Sequence, residues 1–115
     1  MSSWLTRSLT LAAVFVLAGC GTVTTYRFPL EKPSGQISAT PPAVFFEGQL
    51  PQQNMQELAM VEAVGSGTKA SVEDVVNALQ LEAARFGASA VVRVRVDCGY
   101  SQCHGWGVAV KYVGR

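Results

Sequence analysis

The residues best suited to chemistry lie together near the end of the chain, in Cys98-Gly99-Tyr100-Ser101-Gln102-Cys103-His104. Two thiols flanking a short turn support three chemistries. They can oxidise to a disulfide, which is the expected outcome for an exported protein in an oxidising compartment. They can form thioethers to a c-type haem, with His104 as the proximal ligand and Met55 or Met60 as the distal one. They can also remain thiolates and join His104 in holding a soft metal, although His104 is the one histidine in the chain. The oxidising compartment favours the disulfide, so no cofactor and no metal are expected. No nucleophile sits in a recognisable elbow, no carboxylate pair shares an expected face with a base, and no glycine loop is built to cradle phosphate. The expectation is therefore a protein that is not an enzyme.

The elements that position these residues follow from periodicity. Ala90-Val91-Val92-Arg93-Val94-Arg95-Val96 alternates as a strand, with Val92, Val94 and Val96 on one face, and Gly105 to Val113 is its hairpin partner. If Cys98 faces Cys103, Val96 lies opposite Gly105, Val94 opposite Gly107 and Val92 opposite Ala109. The other face then pairs Asp97 with His104 as an ion pair and Arg95 with Trp106 as a cation–π contact. Ser71 is a good N-cap with Asp74 three residues on, and Gly87 closes the helix that follows. Val72, Val75, Val76, Leu79, Ala83 and Phe86 form its apolar stripe, and its other face carries no evident chemistry. Ala43-Val44-Phe45-Phe46 and Gln56 to Val64 read as two earlier strands, with Gly65-Ser66-Gly67 as a connector ahead of the helix. The order strand, strand, helix, strand, strand predicts an α+β fold: a small antiparallel sheet with one helix on one face and a disulfide-closed C-terminal hairpin.

Composition bounds the rest. The chain has 115 residues, 49% of them hydrophobic, with nine basic and eight acidic side chains for a net charge of +1. That is one small domain, and its balanced, interspersed charge argues against nucleic acid or a polybasic membrane contact. Arg7 is followed by an apolar run from Leu9 to Leu17, too short to span a bilayer and shaped as a secretory signal over residues 1–19.

The run ends in Leu17-Ala18-Gly19-Cys20, which resembles the lipobox of bacterial lipoproteins. The resemblance implies cleavage before Cys20, acylation of its thiol and new amino group, and an effectively permanent membrane anchor. Gly21 rather than Asp follows the cysteine, which by the same resemblance points to the outer membrane, with the body facing the periplasm. Residues 20–42 read as the lipidated cysteine and a Pro-, Thr- and Ser-rich tether able to reach at most roughly 70 Å. The body is then residues 43–115.

Within that body, Val64-Gly65-Ser66-Gly67, Ala83-Ala84-Arg85-Phe86-Gly87-Ala88-Ser89-Ala90-Val91-Val92 and Gly105-Trp106-Gly107-Val108-Ala109-Val110 resemble a small α+β family. This family includes the YbjQ-type domains and the outer-membrane lipoprotein sensor of the Rcs envelope-stress system. The resemblance implies a monomeric, tethered domain that binds other envelope proteins, such as an outer-membrane barrel or a signalling receptor. Arg93, Arg95, His104, Trp106 and Lys111, expected on the outer sheet face, are the candidate partner-binding residues.

Overall fold

The computed structural model describes residues 21–31 and 36–114, so the expected signal and Cys20 lie outside the described residues. Five strands and one helix follow in chain order: β1 (Gly21–Pro29), β2 (Ala43–Phe46), β3 (Met55–Gly67), α1 (Val72–Ala84), β4 (Ala90–Cys98) and β5 (Gln102–Tyr112). The strands form one sheet in the order β1-β3-β5-β4-β2. The fold is α+β as expected, but the element order is β-β-β-α-β-β. The sheet is also mixed, because β2 runs parallel to β4 while every other pair is antiparallel. Since β3 and β4 both lie antiparallel to β5, they run the same way, and α1 crosses over β5 to join them.

The additional strand comes from the start of the expected tether. Gly21–Pro29 is extended, but it is paired along its length with β3, from Gly21 opposite Gly67 to Pro29 opposite Ala59. The Gly65-Ser66-Gly67 run, expected as a connector, is the end of β3, where Gly65 faces both Val23 of β1 and Cys103 of β5.

The helix begins where its cap dictates. The Ser71 hydroxyl accepts from the Asp74 backbone N–H at 3.1 Å and donates to Asp74 Oδ2 at 2.8 Å, which satisfies an orphan donor of the first turn. At the other end the chain turns through Gly87 at φ 72° and enters β4. Val75, Ala78, Leu79, Glu82 and Ala83 are the buried helical positions, while Val72, expected in the stripe, is 47% exposed at the helix start.

α1 packs on Ala59, Val61, Ala63, Val91, Val94, Cys103 and Ala109 of the sheet, with Phe86 and Ala88 closing the same core. The approach is close because β5 presents almost no relief. A Cβ added at Gly105 would stand 2.4 Å from Val75 Cγ1, and one at Gly107 would stand 2.5 Å from Val91 Cγ1. The expected hairpin register holds at Val96 opposite Gly105, Arg95 opposite Trp106, Asp97 opposite His104 and Cys98 opposite Cys103. It shifts between Val92 and Arg95, so Val92 faces Val108 rather than Ala109. The cause is a bulge at Arg93, whose φ is 54°. The extra residue reverses the alternation behind it. Val94 and Val91 therefore pack under the helix, whereas Val92 joins Ala90 and Val110 in a second small cluster on the opposite face with Phe45, Met55, Val108 and Tyr112.

Gly105→Ala is expected to destabilise the protein by about 1–3 kcal/mol through overpacking. Gly114→Ala, whose new methyl group meets open space, is expected to change stability by no more than about 0.5 kcal/mol. Urea unfolding of the two variants checks this, and equal midpoints would contradict the close helix–sheet approach.

Candidate functional site: the uncovered sheet face

One helix covers one face of the sheet, and the strand registers align the side chains of the other face into rows across four strands. Tyr26, Glu62, Trp106 and Arg95 are successive cross-strand partners from β1 to β4. Thr24, Val64, His104 and Asp97 form the row on one side. Phe28, Met60, Val108 and Val92 form the row on the other. Tyr26, Phe28 and Met60 are about half exposed, at 50%, 58% and 48%. With half-buried Val64, Trp106 and Val108 they make a mixed aromatic, apolar and charged surface that has the Glu62–His104 pair near its centre, while Val92 at the β4 end is buried. Partly exposed aromatic residues grouped in this way are common at interaction sites.

The polar groups of this face pair among themselves. His104 Nε2–H donates to Glu62 Oε1 in a close contact, and the imidazole stacks on the Trp106 ring with centroids 4.3 Å apart and planes 22° from parallel. The expected Asp97–His104 ion pair is replaced by this one. Glu62 is one methylene longer than Asp97 and reaches His104 from β3, while Asp97 turns to Arg95 at 3.5 Å. Trp106 likewise takes His104 as its stacking partner, although Arg95 stands opposite it in register. Arg93 reaches across β5 to Glu57 at 3.7 Å. The arginine pairs are solvent-exposed and contribute little stability. They leave the guanidinium groups available to a partner.

Of the expected partner-binding residues, Arg93, Arg95, His104 and Trp106 share this face. Lys111 alternates with Val110 and Tyr112, so it points to the other side of the sheet, where it is exposed. Sequence reasoning marks Tyr26 and Phe28 only as apolar tether residues open to a lipid interface or a partner, and it missed Met60 and Glu62 as members of this face. Tyr26, Phe28 and Met60 belong to segments whose neighbours become clear only when β1 pairs with β3.

Missed too was Glu82 on the helix. Its carboxylate is 4% exposed, accepting from Thr25 Oγ1 at 3.2 Å and Arg27 Nη1 at 3.1 Å, with Arg85 Nη1 at 3.7 Å. A buried carboxylate needs such partners, and here two of the three side chains come from β1. The signal was present in the spacing: Glu82 falls on the apolar stripe seven residues after Val75 and three after Leu79.

Cys98 and Cys103 form a disulfide directly across the hairpin. Both sulfurs are thereby used, so neither is free as a thiolate ligand or a thioether. Cys103 is buried on the helix side, whereas His104 points to the outer face, so the three residues do not converge. Met60 is exposed two strands from β4, and Met55 sits in the small outer cluster. Among the described residues, no group of three or more His, Cys, Asp or Glu is placed to hold a metal. No described helix is long and apolar enough to cross a membrane. No protein-family model matches the chain, and no curated protein or solved structure shows significant similarity to it.

The non-reduced protein is expected to weigh about 2 Da less than the reduced one, one hydrogen being lost from each thiol. Replacing Cys98 and Cys103 together by alanine should cost about 2 kcal/mol, the chain-entropy value for so short a loop. An unchanged mass on reduction, or bound metal in the purified protein, would contradict this assignment.

Proposed function

We propose that this chain is an outer-membrane lipoprotein, non-enzymatic, whose α+β domain binds another envelope protein through the uncovered sheet face. The observation that carries the reading is the row Tyr26, Glu62, Trp106 and Arg95 with its flanking rows. It places aromatic side chains and arginines, the types enriched at binding hot spots, on one exposed surface. The lipobox-like Leu17-Ala18-Gly19-Cys20 supplies the membrane address, and Gly21 after it supports the outer membrane. The resemblance to the YbjQ-type and Rcs-sensor family favours a partner among outer-membrane barrels or stress-signalling receptors, and a role in envelope-stress sensing or envelope assembly.

The interaction is supported by the rigidity of the face. Stacking of His104 on Trp106 and the bond to Glu62 hold the central side chains before any partner arrives, which reduces the ordering cost of binding. The strand frame fixes their spacing at about 4.8 Å between neighbouring rows of backbone.

Two measurements test this. Cells fed tritiated palmitate should label the wild-type protein and not Cys20→Ala. A photo-crosslinking amino acid in place of Tyr26 should give a discrete protein adduct in intact cells, while the same probe in place of Leu81 on the helix should not. The adduct should disappear when Trp106→Ala and Arg95→Ala are introduced. Full retention of the adduct in that double variant would overturn the proposed surface.

A further inference from the structure

Gly21, the residue that follows Cys20 in the chain, lies in β1 of the sheet. Consecutive Cα atoms are about 3.8 Å apart, so acyl chains on Cys20 would hold the end of β1 at the bilayer surface with no tether between. Gly21 pairs with Gly67, whose N–H donates to the Ser101 carbonyl in the hairpin turn at 3.3 Å. The start of β1, the end of β3, the β4–β5 turn and the N-terminus of α1 therefore share one end of the domain. Neighbouring strands lie about 4.8 Å apart, which places the hairpin turn roughly 10–15 Å across the sheet from Gly21.

That end carries Tyr100 at the tip of the hairpin, fully exposed, and Val72 in the first helical turn, 47% exposed. The Cys98–Cys103 bridge closes the turn behind Tyr100. An aromatic ring with a polar hydroxyl is suited to the headgroup layer, which adds roughly 5–8 Å to each side of the hydrocarbon.

We infer that the end of the domain formed by Gly21, the Gly99–Gln102 turn and the start of α1 is a foot that rests on the lipid surface, with Tyr100 seated among the headgroups. The inference rests on the proposed acylation of Cys20. The occupant is a zwitterionic headgroup layer rather than an anionic one. Lys69 is paired with Asp74 at 3.9 Å and Arg95 with Asp97 at 3.5 Å, and Glu73 adds a further negative charge near this end, so no excess of cations faces the lipid. In this posture the strands stand away from the membrane and the uncovered face looks sideways. β1, at about 3.4 Å per residue, carries that face up to roughly 30 Å above the surface.

The test uses the full-length, acylated protein in phosphatidylcholine vesicles containing lipids brominated near the headgroup end of the chain. A single fluorescent tryptophan is introduced as Tyr100→Trp or, at the opposite end of the sheet, as Leu30→Trp, each in a Trp106→Phe background. Trp4 precedes the proposed cleavage site and leaves with the signal. The foot predicts a blue shift and loss of emission for Tyr100→Trp, neither for Leu30→Trp, and no dependence on salt. Inserting ten Gly and Ser residues between Cys20 and Gly21 should restore the Tyr100→Trp emission. Co-flotation with vesicles reads the anchor separately. Protein that floats with equal emission from both sites overturns the foot alone, whereas protein that does not float overturns the anchoring and the foot with it.

Discussion

The structure depends on how closely α1 approaches β5. Gly105 and Gly107 leave the middle of the sheet without side chains on the helix side, and Val75, Leu79, Val91 and Val94 fill the space that a Cβ would need. In a domain this small the burial gained there is a large share of what is available. The β-branched valines contribute because their few rotamers fit a flat glycine surface without further ordering cost. Once the helix is seated, the position of its other groups is fixed, and Glu82 is the one that matters most. Its carboxylate lies against the sheet edge, where Arg27 and Thr25 of β1 must meet it. These contacts add to the pairing with β3 in holding Gly21–Pro29 in the sheet.

Two functional features follow from that coupling. Because β1 is recruited to the sheet, the uncovered face gains Tyr26 and Phe28 and becomes four strands wide across its aromatic rows. Because Gly21 is already part of β1, a lipid anchor on the preceding Cys20, as proposed, would be joined directly to the folded domain. If Cys20 is acylated as proposed, the domain is held at the bilayer surface rather than on a long tether, with the candidate binding face directed laterally. A partner in this reading is met close to the membrane plane, consistent with a membrane-embedded or membrane-apposed protein. The disulfide keeps the hairpin shut at the same end, so the turn bearing Tyr100 and the register that presents His104 and Trp106 are fixed by a single covalent closure.

Much of this was legible in the sequence where local rules act alone. The Ser71 cap, the helix that it starts and the register of the Cys98–Cys103 hairpin near its turn all follow from short-range patterns. What was not legible depends on distant partners. Gly21–Pro29 has no period to mark it, since its outward side chains are mostly threonine and aromatic and its pairing is satisfied on one edge only. The bulge at Arg93 interrupts an alternation that reads as unbroken, and the burial of Val92 with Val110 could not be seen without it. His104 is matched by Glu62, 42 residues away, rather than by the nearer Asp97. That choice is made by the length of the glutamate and the position of β3.

The central claim, that the outer sheet face is occupied by a protein in the envelope, is most directly tested by hydroxyl-radical footprinting of the full-length protein in native envelopes and after purification. The account predicts that Tyr26, Phe28, Met60 and Trp106 are protected from oxidation in the envelope and react after purification, while Leu81 on the exposed back of the helix reacts equally in both. Equal oxidation of the four face residues in the two states would contradict it.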